Sequence, residues 1–102
     1  MSNIKDIQPT EVEKMMQENK DVTFIDVRED EEVAQGMVPN AKHIPLGNIP
    51  EAVNDLDKDQ TYVMICRSGG RSMKAASYME EQGFKNLYNM DGGMLAWDGE
   101  TE

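Results

Sequence analysis

The residues best suited to chemistry surround the only cysteine of this chain, Cys66. It follows an apolar, strand-like run and opens the segment Cys-Arg-Ser-Gly-Gly-Arg-Ser, which ends at Ser72. A thiolate, and not a thiol, is the nucleophilic form of cysteine, and nearby guanidinium groups and helix N-terminal amides stabilise it. The segment from residue 66 to residue 72 can supply both, so it predicts covalent catalysis by an activated thiol.

The two glycines of this segment, Gly69 and Gly70, can adopt positive φ values and let the backbone curl round the sulfur. The amides of such a curl point inward and form an anion-binding nest, and arginines can fork onto an oxyanion. We predict that Cys66 is catalytic and that the six residues after it bind a small anion and a sulfur-borne charge: Arg67, Ser68, Gly69, Gly70, Arg71 and Ser72. Ser72 is also expected to cap and pack the following helix. The alternative is a buried, inert thiol, which is the usual state of a lone cysteine at a strand end.

The charge of the chain is strongly acidic, with a formal net value of −10. This disfavours nucleic acid as a partner, because phosphate binding needs a basic face. No acidic residue occurs between Asp59 and Glu80, whereas Arg67, Arg71 and Lys74 lie within that stretch. A locally basic stretch around the only thiol favours an anionic ligand. Solvated helix positions for Arg71 and Lys74 are the alternative.

Several classes of protein are disfavoured by size and composition. The chain has 102 residues, which suits one domain spanning residues 1–102. Its apolar runs are far too short to span a membrane, and its first six residues lack the pattern of a signal peptide. One cysteine and one histidine cannot build a disulfide or a structural zinc site. We therefore expect a reduced, cytoplasmic protein with no metal and no cofactor.

Helical and strand-like patterns alternate along the chain. Helices are predicted over residues 10–19, 29–35 and 71–82, with single helical turns near residues 50–53 and after Gly92-Gly93. Strands are predicted over residues 22–27, 43–44, 61–66 and 86–90. The central strands are continuously apolar, which indicates an α/β fold with a mostly parallel sheet of about five strands and helices on both faces. Ligands of such sheets bind beyond the carboxyl ends of the strands, where Cys66 falls.

Three polar residues outside the loop have competing interpretations. His43, the only histidine, could act as a general base, but a structural hydrogen bond is favoured because prolines flank its short strand. Asp26 and Arg28 end a strand on the edge that carries Cys66 and could contact substrate. A structural ion-pair network is the favoured interpretation for this pair.

The segment Cys66–Ser72 also resembles the active-site loop of the rhodanese-like sulfurtransferases. Two further segments resemble the patterns that precede and follow that loop in the family: Asp26-Val27-Arg28-Glu29 with Glu32, Gly36, Pro39, Ala41 and Ile44-Pro45-Leu46, and Gly92-Gly93-Met94-Leu95-Ala96-Trp97. The chain departs from the family pattern at Val33, Met37 and Asn40, where an aromatic residue, histidine and glycine are frequent. These departures bear on local packing and lie outside the cysteine loop.

The resemblance implies a single rhodanese-like domain and a ping-pong reaction. Cys66 would take the sulfane sulfur of a donor such as thiosulfate, release sulfite, hold a persulfide and pass the sulfur to cyanide or a thiol, which a protein could carry. Two alternatives remain open. One is a non-enzymatic docking module that uses the acidic edge from Glu29 to Glu32. The other, less favoured, is a phosphatase or arsenate reductase, since their loops resemble Cys-x5-Arg and this chain has the shorter Cys-x4-Arg.

Overall fold

The structure is a computed structural model that describes residues 3–18 and 21–102. Its strands are β1 (Lys5–Ile7), β2 (Val22–Asp26), β3 (Lys42–His43), β4 (Thr61–Ile65) and β5 (Asn86–Met90). Its α-helices are α1 (Pro9–Glu18), α2 (Asp30–Val33), α3 (Ile49–Ala52) and α4 (Gly70–Glu81). Short 3-10 turns occupy Leu46–Asn48, Val53–Asp55 and Gly93–Ala96. In this part of the chain no helix is long and apolar enough to cross a membrane.

The five strands form one sheet in the order β1-β5-β4-β2-β3, and every neighbouring pair is parallel. The predicted parallel α/β sheet of about five strands is confirmed. Because the strands run in one direction, their carboxyl ends meet at one edge of the sheet. The central strand β4 delivers Cys66 to the middle of that edge, between the ends of β2 and β5.

Two apolar layers cover the sheet, one on each face. Tyr62 and Met64 of β4 face a layer that includes residues of α3 and α4. Val63 and Ile65 face a second layer that includes Val12 of α1, with the half-buried Trp97 packed against it. Burial on both faces explains why β4 is apolar without alternation. The prediction of helices on both faces is confirmed.

Some boundaries differ from the sequence-based expectations. The strand β1 was not predicted, and α2 covers only four residues where a helix over 29–35 was expected. The helix α1 begins at Pro9, and the predicted last residue, Asn19, lies outside the described residues. The helix α4 begins at Gly70, one residue earlier than expected. These shifts leave the order of elements unchanged.

Candidate active site

The sulfur of Cys66 lies inside a tight turn between β4 and α4. Cys66 is only 1% exposed. Gly69 has φ +107°, a conformation that favours glycine, and its N–H donates to Cys66 Sγ at 3.0 Å. The Ser72 hydroxyl lies 3.3 Å from the same sulfur. The loop therefore curls round the sulfur as the glycine spacing predicts, although Gly69 alone of its two glycines has a positive φ.

The surroundings of the sulfur favour its anionic form. Burial by itself raises the pKa of the Cys66 thiol. Hydrogen bonds from the Ser72 side chain and from the amides of Ser72, Gly69 and Ser68 outweigh burial, so this pKa lies below its usual value. Gly69 is the N-cap of α4, and Ser72 lies inside the helix. The capping role expected for Ser72 is therefore wrong, because its hydroxyl faces the sulfur.

The C-terminal segment after β5 holds the loop from outside. Met94 N–H donates to the Cys66 carbonyl at 2.9 Å, and Leu95 N–H donates to the Arg67 carbonyl at 3.0 Å. Gly93 has φ +58°, and a Cβ added there would lie 2.5 Å from the Cys66 oxygen and from Arg67 backbone atoms. Only a residue without a side chain allows so close an approach. The Gly92-Gly93 pattern thus helps to position the candidate nucleophile.

The two arginines of the loop have different surroundings. Arg71 donates to both carboxylate oxygens of Glu32, at 2.7 and 2.8 Å. This pairing lowers the pKa of Glu32 to about 2 and raises the pKa of Arg71. Arg67 is exposed, and none of the ion pairs found among the described residues involves it. Arg71 already holds an internal carboxylate, whereas the Arg67 guanidinium faces solvent.

A cavity of about 260 Å³ opens beside the loop. Its lining includes Arg67, Met94 and Leu95, and Leu95 is 66% exposed. Arg28 and Glu32 also line this cavity. The cavity therefore combines the exposed Arg67 cation with apolar side chains next to the turn that holds Cys66. Such a lining suits a small anion or an anionic group with an aliphatic part.

Asp26, Arg28 and His43 form the structural network that the sequence favours. Asp26 is fully buried. It accepts hydrogen bonds from Arg28 Nη2 at 2.8 Å and from the backbone N–H of Arg28 at 3.0 Å. Arg28 also donates to the Gly36 carbonyl at 2.8 Å. His43 Nε2 lies 2.7 Å from the Arg28 carbonyl, so this nitrogen carries the hydrogen. The structural interpretation of all three residues is confirmed.

One polar residue near the sulfur, Asn89 in β5, was not singled out from the sequence. It is 5% exposed, and its side-chain oxygen is hydrogen-bonded to the Ser72 hydroxyl. Its amide nitrogen lies 3.2 Å from the Gly69 carbonyl and 3.3 Å from Asp6 Oδ1. An asparagine within a strand is unusual, since this residue type is depleted there. The same strand also contains the exposed Asn86, so this signal narrows the search to two residues and does not select Asn89.

The fold and the site together define an α/β domain that presents a buried thiol, cradled by amides, at the carboxyl edge of a parallel sheet. Residues 8–100 match the model of the rhodanese-like domain family. The chain belongs to this family. No group of three or more His, Cys, Asp or Glu residues suited to a metal ion occurs in residues 3–18 and 21–102.

Named relatives cover most of the chain. It is 52% identical over 99 residues to "Putative sulfurtransferase YtwF" of Bacillus subtilis, a match that covers 97% of this chain and 95% of that protein. It is 35% identical over 81 residues to thiosulfate sulfurtransferase GlpE of Pseudoalteromonas translucida, covering 79% and 77%. A crystal structure of a rhodanese-like domain protein from Staphylococcus aureus has a TM-score of 0.89 and 41% identity, covering 97% of each chain.

Proposed function

We propose that this protein is a sulfurtransferase that carries a sulfane sulfur as a persulfide on Cys66. The observation that carries the proposal is the position of Sγ, which lies at the end of β4 within reach of the Gly69 N–H and the Ser72 hydroxyl. These donors favour a negative charge on sulfur and are in place before any substrate binds. The sulfurtransferase names of the relatives support the same conclusion. The proposal treats residues 1–102 as one rhodanese-like domain.

The first half-reaction loads the cysteine. The Cys66 thiolate attacks the outer sulfur of thiosulfate and forms a new S–S bond. The S–S bond of the donor breaks, and sulfite leaves with its electron pair. The negative charge then rests on the outer persulfide sulfur. No separate general base is assigned, because the hydrogen bonds to the sulfur lower the pKa of Cys66 and so raise the fraction of thiolate.

The second half-reaction discharges the persulfide. A thiophilic acceptor, either cyanide or a thiolate, attacks the outer sulfur, and the S–S bond to Cys66 breaks to regenerate its thiolate. With cyanide the product is thiocyanate. Because Cys66 must be reduced to begin each cycle, the proposal includes a reducing compartment such as the cytoplasm.

Arg67 is the group that we assign to the anionic part of the donor. It is exposed, it lines the cavity beside the loop, and it is not engaged in an ion pair with another described residue. Arg71 adds positive charge near the sulfur while it holds Glu32. Its bonds to Glu32 occupy two of the five N–H donors of its guanidinium, so we assign Arg71 a smaller share in binding the donor than Arg67. This division refines the expectation that both arginines bind the anion.

Intact-protein mass spectrometry after treatment with thiosulfate tests the proposal. The expected result is a gain of one sulfur atom, which is absent in Cys66→Ser and is removed by cyanide. Arg67→Gln is expected to slow loading, whereas Lys74→Gln is the matched control, since Lys74 is an exposed cation of α4. No gain with thiosulfate or with an inorganic polysulfide would overturn the proposal and favour a non-enzymatic docking module.

A further inference from the structure

A chain of hydrogen bonds leads from the candidate nucleophile to an edge strand of the sheet. Ser72 Oγ lies 3.3 Å from Cys66 Sγ and is hydrogen-bonded to Asn89 Oδ1. Asn89 continues the chain to Asp6 of β1 through its amide nitrogen. Ser72 is completely buried and Asn89 nearly so, which separates the inner part of this chain from bulk water. Buried polar chains of this kind have strong effects on the groups at their ends.

The surroundings of Asn89 determine which way its amide points. The two hydrogens of Nδ2 have two acceptors, the Gly69 carbonyl at 3.2 Å and Asp6 Oδ1 at 3.3 Å. A rotated amide would turn its oxygen toward both of these acceptors, which is unfavourable. The amide oxygen therefore faces Ser72 and can only accept a hydrogen bond there.

The Ser72 hydroxyl has one hydrogen and two acceptors within reach. When Cys66 is a thiol, its S–H can donate to Ser72 Oγ, and Ser72 can donate to Asn89 Oδ1, so that every group is paired. When the sulfur is an anion, the Ser72 hydroxyl donates its one hydrogen bond to the sulfur, and Asn89 Oδ1 loses its donor. Asn89 thus competes with the sulfur for one hydrogen.

We propose that Asn89 is a positioning residue that makes the Ser72 hydroxyl a two-position switch between a thiol and an anionic sulfur. The hydroxyl points to Asn89 when Cys66 is protonated and turns to the sulfur when the sulfur is anionic. The role of this switch in sulfur transfer rests on the proposed function. Its effect on the Cys66 thiol itself does not depend on that function.

The substitutions that test this series of hydrogen bonds leave the charged groups around it unchanged. The nearby cations are Arg67 on the loop, Arg71 at the start of α4 and Arg28 after β2. The nearby carboxylates are Glu32, which holds Arg71 and lines the cavity, and Asp6 on β1. Asn89→Leu and Ser72→Ala change no charge. A change in the titration of Cys66 therefore reports on the hydrogen bonds.

Asn89→Leu is expected to lower the pKa of Cys66 by about half a unit to one unit, because it frees one hydrogen bond for the thiolate. The loop keeps its support, since the Gly69 carbonyl also accepts the Met73 N–H at 3.2 Å and Asp6 is exposed to water. Ser72→Ala is expected to raise the same pKa by a similar amount, since the thiolate then loses a donor. In the double variant, which carries Ser72→Ala and Asn89→Leu, the pKa of Cys66 should equal that of Ser72→Ala alone.

The measurement is the rate of alkylation by iodoacetamide from about pH 5 to about pH 10, a range that brackets the usual thiol pKa. Cys66 is the only cysteine, so the rate reports on one group. Circular dichroism checks that each variant folds, and Asn89→Ala replaces Asn89→Leu if leucine is not tolerated. An unchanged or raised pKa in the folded Asn89 variant would overturn the inference. The alkylation assay does not measure sulfur transfer. Its result is therefore independent of the thiosulfate-loading experiment that tests the proposed function.

Discussion

Replacing Gly93 with alanine tests whether the C-terminal segment holds the cysteine loop in its working shape. The added Cβ would lie 2.5 Å from the Cys66 oxygen and from the carbonyl carbon and oxygen of Arg67. Ordinary van der Waals contact begins at 3.4 Å, so these atoms must separate by about 0.9 Å. All three neighbours are backbone atoms, which cannot rotate away as a side chain would. The strain must therefore displace the loop.

The expected loss of stability has two parts. Overpacking of a tight contact costs about 1–3 kcal/mol, and φ +58° costs a residue with a side chain about 1–2 kcal/mol. We therefore expect Gly93→Ala to lower the free energy of unfolding by about 2–5 kcal/mol, which a domain of ordinary stability survives. Displacement of the Cys66 and Arg67 backbone should also slow sulfur loading, on the order of 100-fold, because reacting groups tolerate little misplacement.

Two assays and a matched control check this expectation. Urea unfolding gives the free energy of unfolding, and time-resolved mass spectrometry gives the loading rate. Gly47→Ala is the control, because Gly47 lies on another turn, has no positive φ and, among the described residues other than its two chain neighbours, has none within 4 Å of an added Cβ. That control should stay within about 0.5 kcal/mol of the wild type. Wild-type stability and loading in Gly93→Ala would refute the idea that this segment clamps the loop.

Three further perturbations have defined outcomes. Asp26→Ala leaves the Arg28 guanidinium buried without its carboxylate and should cost about 3–5 kcal/mol in urea unfolding, whereas the exposed Asp30→Ala should cost under about 0.5 kcal/mol. Glu32 has a folded pKa of about 2, below its ordinary 4.5, so its contribution to stability is present above pH 4.5 and is lost as the pH falls toward 2. Glu32→Gln should remove about 1 kcal/mol at pH 7, a modest amount because the pair is partly exposed, and clearly less at pH 2, where Glu32 is partly protonated; equal differences at both pH values would contradict this. A glycine inserted between Gly70 and Arg71 should weaken sulfur loading, and unchanged loading would show that the loop length does not select the reaction.

The sequence predicts most of the fold because its main signals are local. The apolar runs of β2 and β4 and the glycine that follows α4, Gly83, are visible without any tertiary contact. The strand β1 is different, since only Ile7 of its three residues is buried. It is held by pairing with β5, more than eighty residues later in the chain. No local pattern carries that information.

The candidate site shows the same division between local and distant contacts. The curl of the loop round Cys66 follows from Gly69, three residues away in the sequence. The partner of Arg71 is Glu32, which lies 39 residues earlier. The partner of Ser72 is Asn89, which lies near the end of β5, at the edge of the sheet where β4 also ends. Both partners depend on strand order, and the sequence predicts a parallel sheet without specifying that order.

In the proposed reaction Cys66 itself carries the sulfur between two half-reactions. The most direct test is to load the protein with thiosulfate, remove all free donor by gel filtration, and then add cyanide to the isolated protein. We expect one thiocyanate per chain, because each chain has a single cysteine, together with return of the protein to its unloaded mass. Thiocyanate formed only while thiosulfate is present, with none from the isolated protein, would contradict a covalent sulfur carrier on Cys66.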